Sequence, residues 1–240
     1  MLAIARPADS SEAVCFTGAD TTPALGDNDK GERIRQILLT VCVCLTVTGN
    51  AVVAGAIPFT DVSVTVVKDK VIALMAQGGT VEIGVEPGET VTITLSNGQT
   101  ALVITSRRLL GFSLALRRWE EQSLDTYERI QAHKVQPQLI VVQTDRHLYG
   151  FQETRGHWRT EDLGLNETIA QSVGGGHLLA IITNERAVGF SAFTGGFFSI
   201  GLSGDETVLA AEHTADAIIL RTTNRTLALR SQMNTWNEIN

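Results

Sequence analysis

From about residue 50 to its end, the chain repeats itself five times with a period of 39 residues. One aliphatic position marks the register: Val52, Val91, Ile130, Ile169 and Val208. A second mark is Leu74, Phe112, Phe151, Phe190 and Leu229, spaced 38, 39, 39 and 39. A third follows seven residues later at Val81, Trp119, Trp158, Phe197 and Trp236. Self-similarity at this period belongs to solenoids, propellers and arrays, in which one supersecondary unit buries its apolar face only against the next.

Each unit carries four short β-prone runs between turn residues. In the fourth, the runs are Thr168–Val173, Leu178–Thr183, Arg186–Phe193 and Phe197–Leu202. Gly174-Gly175-Gly176, Asn184-Glu185 and Thr194-Gly195-Gly196 separate them. Short, evenly spaced strands with Gly and Asn turns indicate an all-β chain. Four strands per unit narrow this to propeller blades. The order of an inner strand, a dense apolar strand, an aromatic-bearing strand and an outer strand opening on Trp resembles a WD-repeat or kelch-type blade. The Trp-Asp mark and the kelch double glycine are absent, so the resemblance is to the superfold and to no functional family. The expected fold is a five-bladed β-propeller of four antiparallel strands per blade. Its blades fall at about 50–87, 88–125, 126–164, 165–203 and 204–240. The alternative is an open array closed by another protomer.

Residues 1–29 read as a flexible leader, and residues 30–49 as a signal-like or anchor segment. Lys30, Arg33 and Arg35 precede an apolar run from Ile37 to Val47. A basic flank, an apolar core and small residues at Val47-Thr48-Gly49 or Ala54-Gly55-Ala56 match a secretory signal. The repeat favours the first site, because Val52 already belongs to the first blade. The run also reads as a membrane tether through residues 37–57, as a β-strand in which residues 40–48 supplement the short last strand Trp236–Asn240, or as a lipoprotein signal at Cys42 or Cys44. The expected location is secreted or periplasmic, with membrane anchoring as the alternative.

The formal charge of −7 argues against a nucleic-acid partner, which needs a basic face. The repeat region holds fifteen Lys/Arg and twenty Asp/Glu and no cysteine, so it has neither a disulfide nor a Cys-based metal site.

Two charged positions recur. Asn50, Glu89, Glu128, Glu167 and Glu206 precede the first strand, and Lys70, Arg108, His147, Arg186 and Arg225 follow the second. Both emerge on one rim of a propeller. They imply an exposed ion-pair belt, worth at most about 1 kcal/mol per pair, or an anion-binding rim through Arg108, Arg186 and Arg225. Asn50 leaves Lys70 without its regular partner. Trp119, Trp158 and Trp236 pack between blades or stack on sugars. His133 and His213, on first strands two blades apart, are the weak metal candidates; no metal or cofactor is expected. There is no Gly-x-Ser-x-Gly elbow, P-loop or HExxH motif. The near-constant period leaves no insertion to build a catalytic cleft. The sequence therefore points away from an enzyme and toward an extracytoplasmic binding or protein-interaction propeller with a protein or glycan ligand. Lectin-like carbohydrate binding at repeated inter-blade sites is the alternative, and a small hydrolase with a channel site the second.

Overall fold

The computed structural model describes residues 61–239, which lie in the second of the two units (Ala56–Asn240) into which the chain divides. The described residues form nineteen strands and no helix. Sheet one holds β1 (Val62–Val67), β2 (Lys70–Met75) and β3 (Thr80–Gly84). Sheet two holds β4 (Val91–Asn97), β5 (Thr100–Thr105), β6 (Arg108–Ser113) and β7 (Arg118–Ser123). Sheet three holds β8 (Ile130–Val135), β9 (Leu139–Thr144), β10 (His147–Gln152) and β11 (His157–Asp162). Sheet four holds β12 (Ile169–Gly175), β13 (Leu178–Thr183), β14 (Arg186–Ser191) and β15 (Phe197–Gly201). Sheet five holds β16 (Val208–His213), β17 (Ala217–Thr222), β18 (Thr226–Arg230) and β19 (Asn237–Ile239). Every sheet is an antiparallel meander. The chain is an all-β, five-bladed β-propeller chain. The first blade's inner strand, expected at Val52, falls outside the described residues, as does the apolar segment 30–49.

The register marks explain the stacking. Val91, Ile130, Ile169 and Val208 each open an inner strand. The two middle strands of sheets two to four are buried nearly throughout, because one face meets the preceding blade and the other the following blade. Strands covered on both faces lose the hydrophobic-polar alternation and read as continuous apolar runs. Four buried clusters result, one at each junction between consecutive sheets. Within them, each blade offers a large residue to a small one on the blade before it. Phe112 shares a cluster with Ala73. Phe151 lies over Gly111, Phe190 over Gly150 and Leu229 over Gly189. A Cβ on Gly111 would sit 2.7 Å from the Phe151 ring, and at Gly150 and Gly189 the approach is closer still. Each fully buried Leu, Ile or Phe contributes about 1.5–3 kcal/mol.

The second and third marks pair across the strands in sheets two to four. Phe112 pairs with Trp119, Phe151 with Trp158, and Phe190 with Phe197. In blade one they do not. There Leu74 pairs with Thr80 and Ala73 with Val81, one residue out of step with the other blades. The β2–β3 hairpin turns through Ala76–Gly79 with Met75 N donating to Gly79 O, and both Gly78 and Gly79 have positive φ. A one-residue slip moves a side chain to the opposite face. Val81 therefore faces blade two, whereas the Trp residues face the preceding blade. Gly174-Gly175-Gly176 also differs from the expected break. β12 continues through Gly174 (φ 132) and Gly175, and the chain turns at Gly176.

Candidate functional site

The rim where inner strands begin is built from a repeated anchor. In blade two, the β-turn Glu86–Glu89 closes through Glu89 N to Glu86 O at 2.9 Å, and Glu86 N donates to the Glu89 carboxylate at 2.8 Å. Thr105 Oγ1 donates to Glu89 Oε1, and Arg108 donates from Nε and Nη2, both at 2.9 Å. Arg108 Nη2 also reaches Gly84 O at 2.7 Å, on the outer strand of the preceding blade. Blade four repeats this with Glu167, Thr183, Arg186 and Asp162 O. Blade five repeats it with Glu206, Thr222, Arg225 and Gly201 O.

The charged rim is thus a set of buried anchors and not an exposed belt. The Glu89 side chain is 0% exposed and Arg108 only 9%. Burial pushes the Glu89 carboxyl up, but Arg108, Thr105 and the Glu86 amide outweigh it and hold it at about 2. At Glu206 the Arg225 hydrogen bond is the largest influence and holds the carboxyl at about 2. Arg108, Arg186 and Arg225 are all raised, chiefly by these carboxylates. Their donors are engaged by protein groups, which leaves little for an anionic ligand. Lys70 pairs instead with Glu82 of the outer strand at 2.7 Å and is exposed, and Val67 stands where the other blades have the anchor Thr.

Blade three substitutes His147 for Arg. His147 Nδ1 lies 2.8 Å from Glu128 Oε1, and Tyr149 OH donates to Glu128 Oε2 at 2.9 Å. Burial and the Glu128 contact push the Tyr149 phenol up. Asp125, Glu128 and His147 form the one group among the described residues whose three ligand atoms lie within 4.8 Å. Both Glu128 oxygens already accept hydrogen bonds from Thr144, Tyr149 and the Asp125 amide. The group is the blade-three copy of the anchor. His133 is half-buried on β8, His213 is exposed on β16, and neither belongs to such a group.

The Trp residues are buried at 8%, 8% and 5% exposure for Trp119, Trp158 and Trp236. Their Nε1 groups donate to the preceding blade at Val81 O, Glu120 O and Phe198 O, at 3.1, 3.1 and 2.9 Å. Their faces are occupied by protein, so they offer no platform for a sugar.

Next to the anchors of blades three, four and five lie clefts that sequence reasoning missed. Each complete inner strand carries a β-bulge directly after its first residue, at Thr92, Gln131, Ala170 and Leu209. A bulge re-aims a side chain out of the ladder. Gln131, with Asp145 of the same blade and Thr168 of the next, lines a cleft of about 170 Å3. One blade on, Ala170, Asn184 and Thr207 take the same positions in a cleft of about 490 Å3. On blade five, Leu209 and Thr223 line the corresponding half of a cleft, about 470 Å3, with no following blade to complete it among the described residues. Asp145, Asn184 and Thr223 are held from below, accepting the backbone amides of Arg129, Thr168 and Thr207 at 2.9, 2.7 and 3.3 Å.

These sheets and their succession define the class: a β-propeller. No family model matches the chain, and no curated protein matches it. The chain is similar to solved β-propeller structures. The human WBSCR16 structure aligns with TM-score 0.36 and 12% identity, over 70% of this chain and 61% of that one. The N-terminal domain of Nup159 gives 0.33 and 12%, over 74% and 57%. Kluyveromyces lactis Hsv2 gives 0.32 and 7%, over 75% and 82%. The chain therefore spans 57% and 61% of the first two structures it matches. The likeness is one of fold.

Proposed function

We propose that the chain is a non-catalytic, extracytoplasmic binding or protein-interaction propeller that engages its ligand along the anchor rim. The observation that carries this reading is the repeated cleft, whose scaffold is constant while its exposed residues change from blade to blade. The anchor carboxylates Glu89, Glu128, Glu167 and Glu206 are all engaged by Thr and Arg or His donors, and a carboxylate held low by such donors is a poor general base. Exported location rests on the signal-like segment 30–49 alone. Affinity capture with the full chain, compared with a variant carrying Asn184→Arg and Thr207→Arg, tests the rim. Partners lost in the variant support the reading; identical capture by both removes the rim from it.

Neutral carbohydrate is a second reading, favoured by one cleft. Gln171, Asn184 and Thr207 offer uncharged polar groups over Ile182, Leu202 and Val208. A glycan array that binds the wild-type chain and not the double variant supports it; no glycan bound removes it. The third reading, a small hydrolase, is answered by activity screening with and without added divalent metal.

A further inference from the structure

Sheets one and five each present a face that no other described sheet covers. At every other junction, the large residue of one blade enters the small-residue position of the blade before it: Phe112 at Ala73, Phe151 at Gly111, Phe190 at Gly150, Leu229 at Gly189. One large and one small member of this series are left over. Leu74 is the first large residue and is 40% exposed, whereas Phe112, Phe151 and Phe190 are 0% exposed. Ala228 occupies the small position in sheet five and is half-buried. Around Ala228 lie Ile219 (37% exposed) and Ile239 (47%), on the face of β17–β19 that equals the fully buried Leu102 face of β5. The Leu209 half-cleft is a second, independent leftover, because its two upstream copies are each completed by the following blade.

We infer that sheet one of a second copy of this chain docks on the free face of sheet five, with Leu74 of one copy entering the Ala228 position of the other. The occupant follows from the series itself. Among the described residues, the surface of sheet five that lacks a neighbouring sheet is the fifth copy of one used four times, and Leu74, on the face that fits it, stands 40% exposed. The contact is head-to-tail, so it closes into a ring of copies when the rotation permits. Both faces carry an ion pair, Lys70–Glu82 at 2.7 Å and Arg221–Glu212 at 3.8 Å, which makes them more polar than the internal junctions. Polar faces of this kind give a reversible, concentration-dependent contact.

Sedimentation velocity of the full chain over a concentration series tests this. The expected result is a mass that rises from one chain to two or more. Leu74→Asp and Ala228→Trp, each alone, weaken association at least about ten-fold while the circular dichroism spectrum and unfolding midpoint stay near wild type. If Ala228→Trp perturbs folding, Ile219→Glu replaces it. Mixing the Leu74 variant with the sheet-five variant restores a dimer, because each then supplies the face the other lacks. A wild-type chain that remains at one-chain mass throughout overturns the inference and means that the two faces meet within one chain or stay bare. Variants that associate like wild type, or a mixture that does not recover, overturn it equally.

Discussion

Replacing Glu89 with Gln keeps the shape of the side chain and removes its charge. In the native chain the carboxylate is fully buried, paired with Arg108, and bonded by Thr105 and the Glu86 amide. Its carboxyl titrates at about 2 instead of 4.5. A carboxyl depressed by folding stabilises the native state fully above its unfolded pKa, and that stability is lost as pH falls through the folded pKa. At about 1.4 kcal/mol per pH unit the shift corresponds to at most about 3.5 kcal/mol. Arg108 also reaches the half-exposed Glu121, and solvent screening there brings the expected figure to about 2 kcal/mol. Glu89→Gln should therefore cost about 2 kcal/mol near pH 7 and about 0.8 kcal/mol near pH 3, where the wild type, its folded pKa at about 2, has itself lost somewhat more than half of the contribution. Urea unfolding followed by Trp fluorescence at the two pH values measures both numbers. A penalty that is equal at the two pH values, or absent at neutral pH, would refute the anchor's electrostatic role.

Trp158→Phe loses the hydrogen bond to Glu120 O and should cost about 1 kcal/mol, whereas Trp158→Ala also opens a cavity and should cost about 3–5 kcal/mol. Equal losses in chemical denaturation would contradict the buried, hydrogen-bonded placement. Gly150→Ala drives a methyl group into the Phe190 ring and should lower stability by about 2 kcal/mol, and the added change Phe190→Leu should recover part of it. An unchanged unfolding midpoint in Gly150→Ala would show that the blades can separate more easily than their packing implies.

The repeat made most of the fold readable. It put Val91, Ile130, Ile169 and Val208 at the first residue of four strands and gave β13 its observed bounds. The departures have physical causes. The register of the β2–β3 hairpin depends on its turn, and the turn at Gly78-Gly79 moved Val81 to the other face. The anchor threonines Thr105, Thr144, Thr183 and Thr222 also recur every 39 residues. They passed unnoticed because Thr is an ordinary strand residue; its role needs Glu, sixteen residues earlier, to fold back beneath it. Whether the Glu–Arg pairs lie in water or in protein depends on depth, which no spacing records. The bulges carry no glycine at the bulged residue, so nothing in composition announced them.

Those bulges separate two demands that most strand positions must meet together. A residue in the ladder of β4, β8, β12 or β16 answers to its cross-strand partner and to the adjoining sheet. The bulged residue has no partner in the register, although the Thr92 hydroxyl still donates to Ile104 O, and across the four blades it is Thr92, Gln131, Ala170 and Leu209: a hydroxyl, an amide, a methyl and an isobutyl group. Each of these four blades thus holds one position where chemistry can be rewritten with little disturbance to the fold, and the rim can acquire a new specificity one letter at a time.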